Sequence, residues 1–304
     1  MESTAQKTLT AKPPHKVLLE RLVVPVSHAA LQWNEQTQQL ESGAEVFPVV
    51  DGIPVMMRNN TTENDHYRSH YVFDSEYNDY FEEREDPATA HDELRVYQTI
   101  LKHIPAQTQS VLDVGCGRAW VARELCPKGV FVCSMDISPV NPQKALKKYP
   151  YANHAGLVAD AFELPFADGA WDCIIASEII EHVPNPKAFV EELLRVLKPG
   201  GTLVLSTPYK ERLKYSVCIH CNKPTPLHAH IHSFDEHVLT NLAPLPNVRV
   251  TWESFGNKAL LLFRTYVLLQ WLPYTVWRWV DALANVLLNK RAHIVVVWNK
   301  LTTK

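Results

Sequence analysis

Three groups of residues in this 304-residue chain have the types and spacing to do chemistry. The first is the run Asp113-Val114-Gly115-Cys116-Gly117. Two glycines in a tight turn let a backbone come close to a ligand, and Asp113 lies where an apolar run enters that turn. Asp136 follows about 20 residues on, where a nucleotide-binding sheet places the acid that accepts hydrogen bonds from ribose hydroxyls. Asp160 and Ser177 fall at the ends of two further apolar runs. The second group is Cys218-Ile219-His220-Cys221 followed by His228, His230 and His232. A Cys-x-x-Cys pair is a chelating step for zinc, whose structural sites take four Cys or His ligands. In an extended segment the three histidines share a face, and two of them complete a tetrahedral set. The third group is Glu178, Glu181 and His182. His182 is the side chain there whose ordinary pKa suits a general base near neutrality. The alternative is that Glu-His-Val orients the following helix.

These residues need a scaffold, and the apolar pattern supplies one. Val111 begins a strand that runs into the glycine turn, and Arg118 to Leu125 reads as a helix. Further strands read as Val130–Asp136, Leu157–Asp160, Trp171–Ser177 and Thr202–Ser206. A helix spans Pro186–Leu197 and stops at Lys198-Pro199-Gly200-Gly201. Strands alternating with helices imply a parallel sheet covered on both faces, with ligand groups gathered at the carboxyl ends of the strands. Val248–Trp252 and Ile294–Trp298 read as two more strands.

Residues 111–207 resemble the core of the class I S-adenosylmethionine (SAM) dependent methyltransferases. The resemblance rests on five motifs in order: the glycine turn, Asp136, Val-Ala-Asp-Ala before Leu-Pro-Phe, Trp-Asp-x-Ile leading to Glu-His-Val, and Leu-Lys-Pro-Gly-Gly. It implies an α/β fold with a Rossmann-like seven-stranded sheet whose last strand runs antiparallel. It also implies a SAM site in which Gly115 and Gly117 approach the methionine half and Asp136 holds the ribose. Asp160 would accept from the adenine amino group, with Ala161 supplying a backbone donor. Asp113, Ile137 and Ser177 complete the expected cofactor-binding set. The family's third glycine is Ala119 here, which fits if its φ is negative and otherwise shifts the cofactor. A dinucleotide reading fails because Trp120 stands where G-x-G-x-x-G needs its last glycine. The stretch Cys-x-x-Cys…Pro…Ala-His-x-His-Ser-Phe-Asp resembles an insertion in some bacterial methyltransferases. That favours Cys218, Cys221, His230 and His232 as zinc ligands, with His228 spare. Four protein ligands suit a structural staple, because catalytic zinc needs an open position. No Asn-Pro-Pro-Tyr or Asp-Pro-Pro-Tyr follows the fourth strand. The acceptor is therefore expected to be a small metabolite or a lipid-like, apolar molecule.

The rest of the chain is expected to divide as follows. Residues 1–16 form a flexible polar N-terminus without an apolar signal segment. Residues 17–57 form a small β-rich cap resembling a Trm112-like domain through Phe-Pro-Val-Val-Asp-Gly-Ile-Pro-Val-Met, with a hairpin over 45–56. The family's Cys-Pro-x-Cys is replaced by Val24-Pro25-Val26-Ser27, so the cap is expected to lack metal. Residues 58–304 form the methyltransferase domain, with the Cys/His insertion at 208–240 and a helical insertion at 258–291. The aromatic-rich stretch 58–92 is either a lid over the cofactor or a linker. A helix over Asp92–Ile104 should bury Leu94, Tyr97, Ile100, Leu101 and Ile104. Residues 258–291 read as two helices broken at Pro273, the first from Ala259 to Leu272. Arg264, Gln270, Pro273, Arg278 and Asp281 interrupt them too often for a membrane span. They fit a lid over an apolar substrate, a homo-oligomer interface or a membrane-surface contact. Net charge −3 without a basic run argues against nucleic acid, and four cysteines inside core elements suit a reducing cytoplasm. Two rival functions remain: a non-catalytic SAM-binding partner or scaffold, and a methyltransferase acting on protein or RNA.

Overall fold

A computed structural model describes residues 12–58, 65–82, 86–243 and 245–302. The chain opens with α1 (Lys16–Leu19) and a four-stranded antiparallel sheet of β1 (Gln32–Asn34), β2 (Gln39–Ser42), β3 (Glu45–Val50) and β4 (Ile53–Pro54). The expected hairpin is present: Asp51 and Gly52 both take positive φ between β3 and β4, as a two-residue turn requires. α2 (Asp65–Tyr77) and α3 (Pro87–Leu101) follow. Then comes the alternation β5 (Ser110–Val114), α4 (Trp120–Leu125), β6 (Phe131–Asp136), α5 (Val140–Lys148), β7 (His154–Val158), β8 (Trp171–Ser177), α6 (Pro186–Val196) and β9 (Leu197–Pro208). The insertion after β9 holds the short ribbon β10 (Tyr215–Val217) and β11 (Pro224–Pro226), then α7 (Glu236–Thr240). β12 (Val248–Asn257), α8 (Lys258–Leu262), α9 (Tyr266–Leu269), α10 (Tyr274–Leu287) and β13 (Arg291–Lys300) close the chain.

The main sheet has seven strands in the order β12-β13-β9-β8-β5-β6-β7. β13 is antiparallel to both neighbours, while the pairs from β9 through β7 are parallel. This is the Rossmann-like arrangement expected from the sequence. Alternate residues feed two cores, one on each face. Leu112, Ile174 and Leu203 belong to one; Val111, Cys173 and Val204 belong to the other. Cys116, Cys126, Cys133 and Cys173 are all buried as small apolar side chains.

Four expectations change. The N-terminal cap is not a separate unit. Leu18, Leu22, Leu40 and Phe47 share one core with the main sheet, and Met56 N–H donates to Val158 O, covering the edge strand β7. α3 starts at Pro87, because Asp86 accepts from the Ala88 and Thr89 N–H groups. Its inward face is His91, Arg95, Val96, Thr99 and Ile100, and Leu94 is exposed. Arg95 turns inward because its guanidinium donates to the Leu269 and Leu272 carbonyls and lies over the Trp277 ring. The helix expected over Ala259–Leu272 is split in two at Arg264, whose φ is +56°. Finally, no residue of 258–291 lines the large cavity, so that insertion is not its lid; α2 is.

Candidate active site

The carboxyl ends of β5, β6 and β8 open into a cavity of about 1120 Å³. That exceeds the ~300–1,000 Å³ of an ordinary small-molecule pocket and leaves room for two ligands side by side. Its floor is the turn Gly115-Cys116-Gly117. Gly115 has φ +66°, and a Cβ there would meet Ile179 Cδ1 at 2.2 Å. Gly117 has φ +44° and faces open space, so its missing side chain leaves room for a ligand. Ala119 caps α4 at φ +53°, not the negative φ that would make alanine an easy substitute. The left-handed conformation that glycine adopts freely is kept here against the Cβ clash.

Asp136 is the last residue of β6 and lines the cavity with Ile137 and Ala161. Its carboxylate accepts from the Ser138 N–H and from Asn141 Nδ2, both at 3.0 Å, and burial raises its pKa. The Gly117 and Ile137 N–H groups also act on it as backbone hydrogen-bond donors. Ser177 ends β8 and also lines the cavity. Asp113 lies beneath the glycine turn, outside the lining. Its Oδ2 is buried without a hydrogen-bond partner, and burial together with Asp136 pushes its pKa well up.

Asp160 departs from its expected role. It sits two residues past β7 and outside the cavity lining. Arg68 of α2 donates to its Oδ2 at 2.7 Å, and the Phe162 N–H donates to its Oδ1. The carboxylate therefore anchors the helix that covers the cavity. Ser75 donates to Ser138 Oγ at 2.5 Å and adds a second anchor. Tyr67, His70, Tyr71 and Asp74 of α2 line the cavity, so this helix, within the stretch expected to be a lid or a linker, covers it as a lid.

The far wall carries His182, His228, His230 and His293 with Asp92 and Glu178. His182 Nδ1 donates to Ala229 O at 3.2 Å, and burial pushes its pKa down to about 4. The imidazole is thus neutral at neutral pH and a weaker base than its residue type suggests. His293 behaves oppositely. Burial alone would lower its pKa, but Asp92 at 2.7 Å and Glu178 at 3.7 Å hold it up to about 10. The sequence reading missed Asp92, Glu178 and His293 as a group, since they come from three elements far apart in the chain. The one available signal was a polar histidine inside the apolar strand β13.

The four expected zinc ligands are not assembled. His232 Nε2 donates to Val183 O, His230 Nδ1 donates to Glu211 Oε2 at 2.5 Å, and Cys221 is exposed at the ribbon turn. The separation follows from the chain path: β10 and β11 carry the cysteines away, while residues 228–232 fold back under backbone bonds to Glu181. Among the described residues, the one cluster of three potential ligands is Glu181, His182 and His230, with their ligating atoms within 4.8 Å of one another.

Residues 112–205 match the family of methyltransferase domains. Malonyl-[acyl-carrier protein] O-methyltransferase of Hahella chejuensis is 34% identical over 103 residues, 33% of this chain and 36% of that one. Tocopherol O-methyltransferase of Arabidopsis thaliana is 38% identical over 104 residues, 33% of this chain and 30% of that one. The chain thus spans about a third of the length of these curated relatives. The crystal structure of an S-adenosylmethionine dependent methyltransferase from Mesorhizobium loti has a TM-score of 0.50 at 16% identity, covering 69% of this chain and 100% of that one. At that identity it shows the fold alone. The Trm112-like resemblance of the N-terminal cap finds no support in these matches.

Proposed function

We propose that the chain is a class I SAM-dependent methyltransferase that transfers a methyl group to the hydroxyl oxygen of a small-molecule acceptor; the match of residues 112–205 to a methyltransferase domain supports this reading. The observation that carries this reading is the cavity itself, floored by Gly115 and Gly117 and walled by Asp136 and Ser177. The residues fit the cofactor: Asp136 presents a carboxylate to the cavity and Gly117 leaves open space. SAM supplies an activated methyl on a sulfonium. The chain's own residues orient, desolvate and manage charge. α2 excludes water over the floor, and Tyr71 packs edge-on against His182. With no cation bound, His182 Nε2 is the proton acceptor on the far wall, while the His293 imidazolium balances Asp92 and Glu178. The O-methyltransferase names of the relatives and the polar far wall together favour a hydroxyl acceptor. A titration with S-adenosylhomocysteine (SAH) tests the cofactor site: Asp136→Ala should weaken binding at least ~100-fold, about two ligand hydroxyl bonds. Unchanged affinity would remove the cofactor assignment. SAH binding with no turnover on any phenol or carboxylate acceptor would leave the scaffold reading in its place.

The metal expectation moves with the geometry. A divalent cation, zinc foremost, is assigned to Glu181, His182 and His230 in place of the cysteine pair. Both histidines already tie Nδ1 to an oxygen, Ala229 O and Glu211 Oε2, which leaves each Nε2 free. Metal-bound histidines carry such outer bonds. Three protein ligands beside a cavity leave a position open, unlike a four-ligand staple. Elemental analysis of the purified protein is expected to give one metal per chain, lost in His230→Ala and kept when Cys218 and Cys221 are both changed to Ser. The reverse pattern would return the metal to the cysteines.

A further inference from the structure

α10 is built inside out. A surface helix ordinarily buries its apolar stripe and exposes its polar one. Here Asp281 and Asn285 face inward, where Asp281 accepts from the Gly256 N–H and Asn285 accepts from Asn257. The outward stripe is Val276, Trp279, Leu283, Val286 and Leu287, spaced three and four apart. Trp279 is 80% exposed and Val286 80%. α8, α9 and the turn after them add the exposed Leu262, Phe263, Leu268 and Trp271. This much exposed apolar surface gathered in one segment of the chain marks a contact with another apolar phase.

We propose that the outer face of residues 258–291 docks on an anionic lipid surface. Charge decides between a lipid surface and a second copy of the chain. The segment holds five basic residues and one acid, Asp281, in a chain of net charge −3. Asp281 is buried and paired with Arg278. Lys258, Arg264 and Lys290 are exposed at the rim with no carboxylate of the segment beside them. A two-fold self-interface over this segment would offer these cations no exposed carboxylate of the segment to pair with. An anionic headgroup layer neutralises them, while tryptophans at the boundary take the interfacial position they favour. None of the described helices is long and apolar enough to cross a membrane, so the contact lies in the surface plane. The insertion is fixed to α3 through Arg95, and α3 also lines the cavity. Docking therefore holds the cavity one helix from the lipid, a placement that suits an acceptor dissolved there. That last step rests on the methyltransferase reading; the docking itself does not.

The test is flotation of the full chain with phosphatidylcholine vesicles, with and without phosphatidylglycerol. The expected result is salt-sensitive binding to the anionic vesicles only. Trp271→Glu with Trp279→Glu should cut the bound fraction about tenfold or more, with circular dichroism and SAH affinity unchanged. Lys258→Glu with Lys290→Glu should cut binding to anionic vesicles to a similar extent. No flotation above background, or equal binding to neutral vesicles, overturns the proposal. A dimer in light scattering that the tryptophan variant disperses, without any vesicle binding, assigns the face to a second copy instead. SAH affinity lost with flotation retained would fault the cofactor site and not the docking.

Discussion

Two histidines on one wall of the cavity carry opposite charge states for reasons their residue type does not show. Burial, beside His230 and with one carbonyl as its hydrogen-bond partner, takes the His182 pKa down to about 4. His293 is buried against two carboxylates and rises to about 10. If His182 takes the acceptor's proton in the metal-free protein, the acid limb of the kcat/KM profile measured with chelator present falls near pH 4 and not near 6.5; a limb at 6.5 would assign the proton elsewhere. Proton NMR titration should find His293 still charged at pH 8. The stability its raised pKa brings is full below about pH 6.5, fades above it and is gone beyond about pH 10. The glycines give a second contrast. Gly115→Ala drives a Cβ into Ile179 and should cost about 3 kcal/mol of stability along with cofactor binding. Gly117→Ala meets no protein atom. It should leave the melting temperature within a few degrees and weaken SAH binding about tenfold through left-handed strain and lost space. Equal effects of the two on stability would contradict this geometry. Gly115, Gly117, Asp136 and Ser177 could be placed from local pattern, because an apolar run ending in an acid or a glycine marks a strand end by itself. Asp160 could not, because its partner Arg68 lies 92 residues away in sequence.

At the scale of elements, the strands were legible and the helices around them less so. β5, β6 and β8 are buried on both faces, so their sequences are near-continuous apolar runs. α2 gives no such signal. Its residues are mostly polar, and its place over the cavity depends on Arg68 reaching Asp160 and Glu163 and on Ser75 reaching Ser138. The Arg68–Asp160 pair is nearly buried, with side-chain exposures of 11% and 3%. Removing one partner leaves the other charge unpaired, at a cost of about 3–5 kcal/mol where the site cannot admit water. Arg68→Met should lower stability by up to that amount, raise hydrogen exchange across α2 and weaken SAH binding. Exchange in the β5–β6 core should rise no more than the global loss requires. Exchange in α2 identical to wild type would mean that other contacts hold the lid. The helical insertion was hard to read for the converse reason: its mean apolarity fits burial and exposure alike, while two of its polar residues, Asp281 and Asn285, are turned inward onto β12.

For the molecule as a whole, the insertion must be held to the sheet although its apolar surface faces away, and charge does much of this. Glu253 of β12 receives Lys102 at 2.5 Å and His103 at 2.6 Å from the end of α3, and Arg278 of α10 at 2.8 Å. These three lower its pKa to about 2 against the opposing effect of burial. A carboxylate with a depressed folded pKa stabilises above its unfolded value and loses that contribution as pH falls through the folded one. The contribution is thus full above about pH 4.5 and is gone near pH 2. At about 1.4 kcal/mol for each pH unit between those values, its ceiling is about 3.5 kcal/mol. Glu253→Gln should therefore melt several degrees below wild type at pH 7. The gap should close steadily between pH 5 and pH 2, because wild type loses what the variant never had. A gap independent of pH would mean that Glu253 acts through packing. No gap at pH 7 would mean that the neutral contacts of Trp277, Tyr274 and Arg95 alone hold the insertion in place. If the gap behaves as expected, the same substitution should also loosen the lipid-facing surface without touching it, since α10 is joined to the sheet through Arg278 and Asp281.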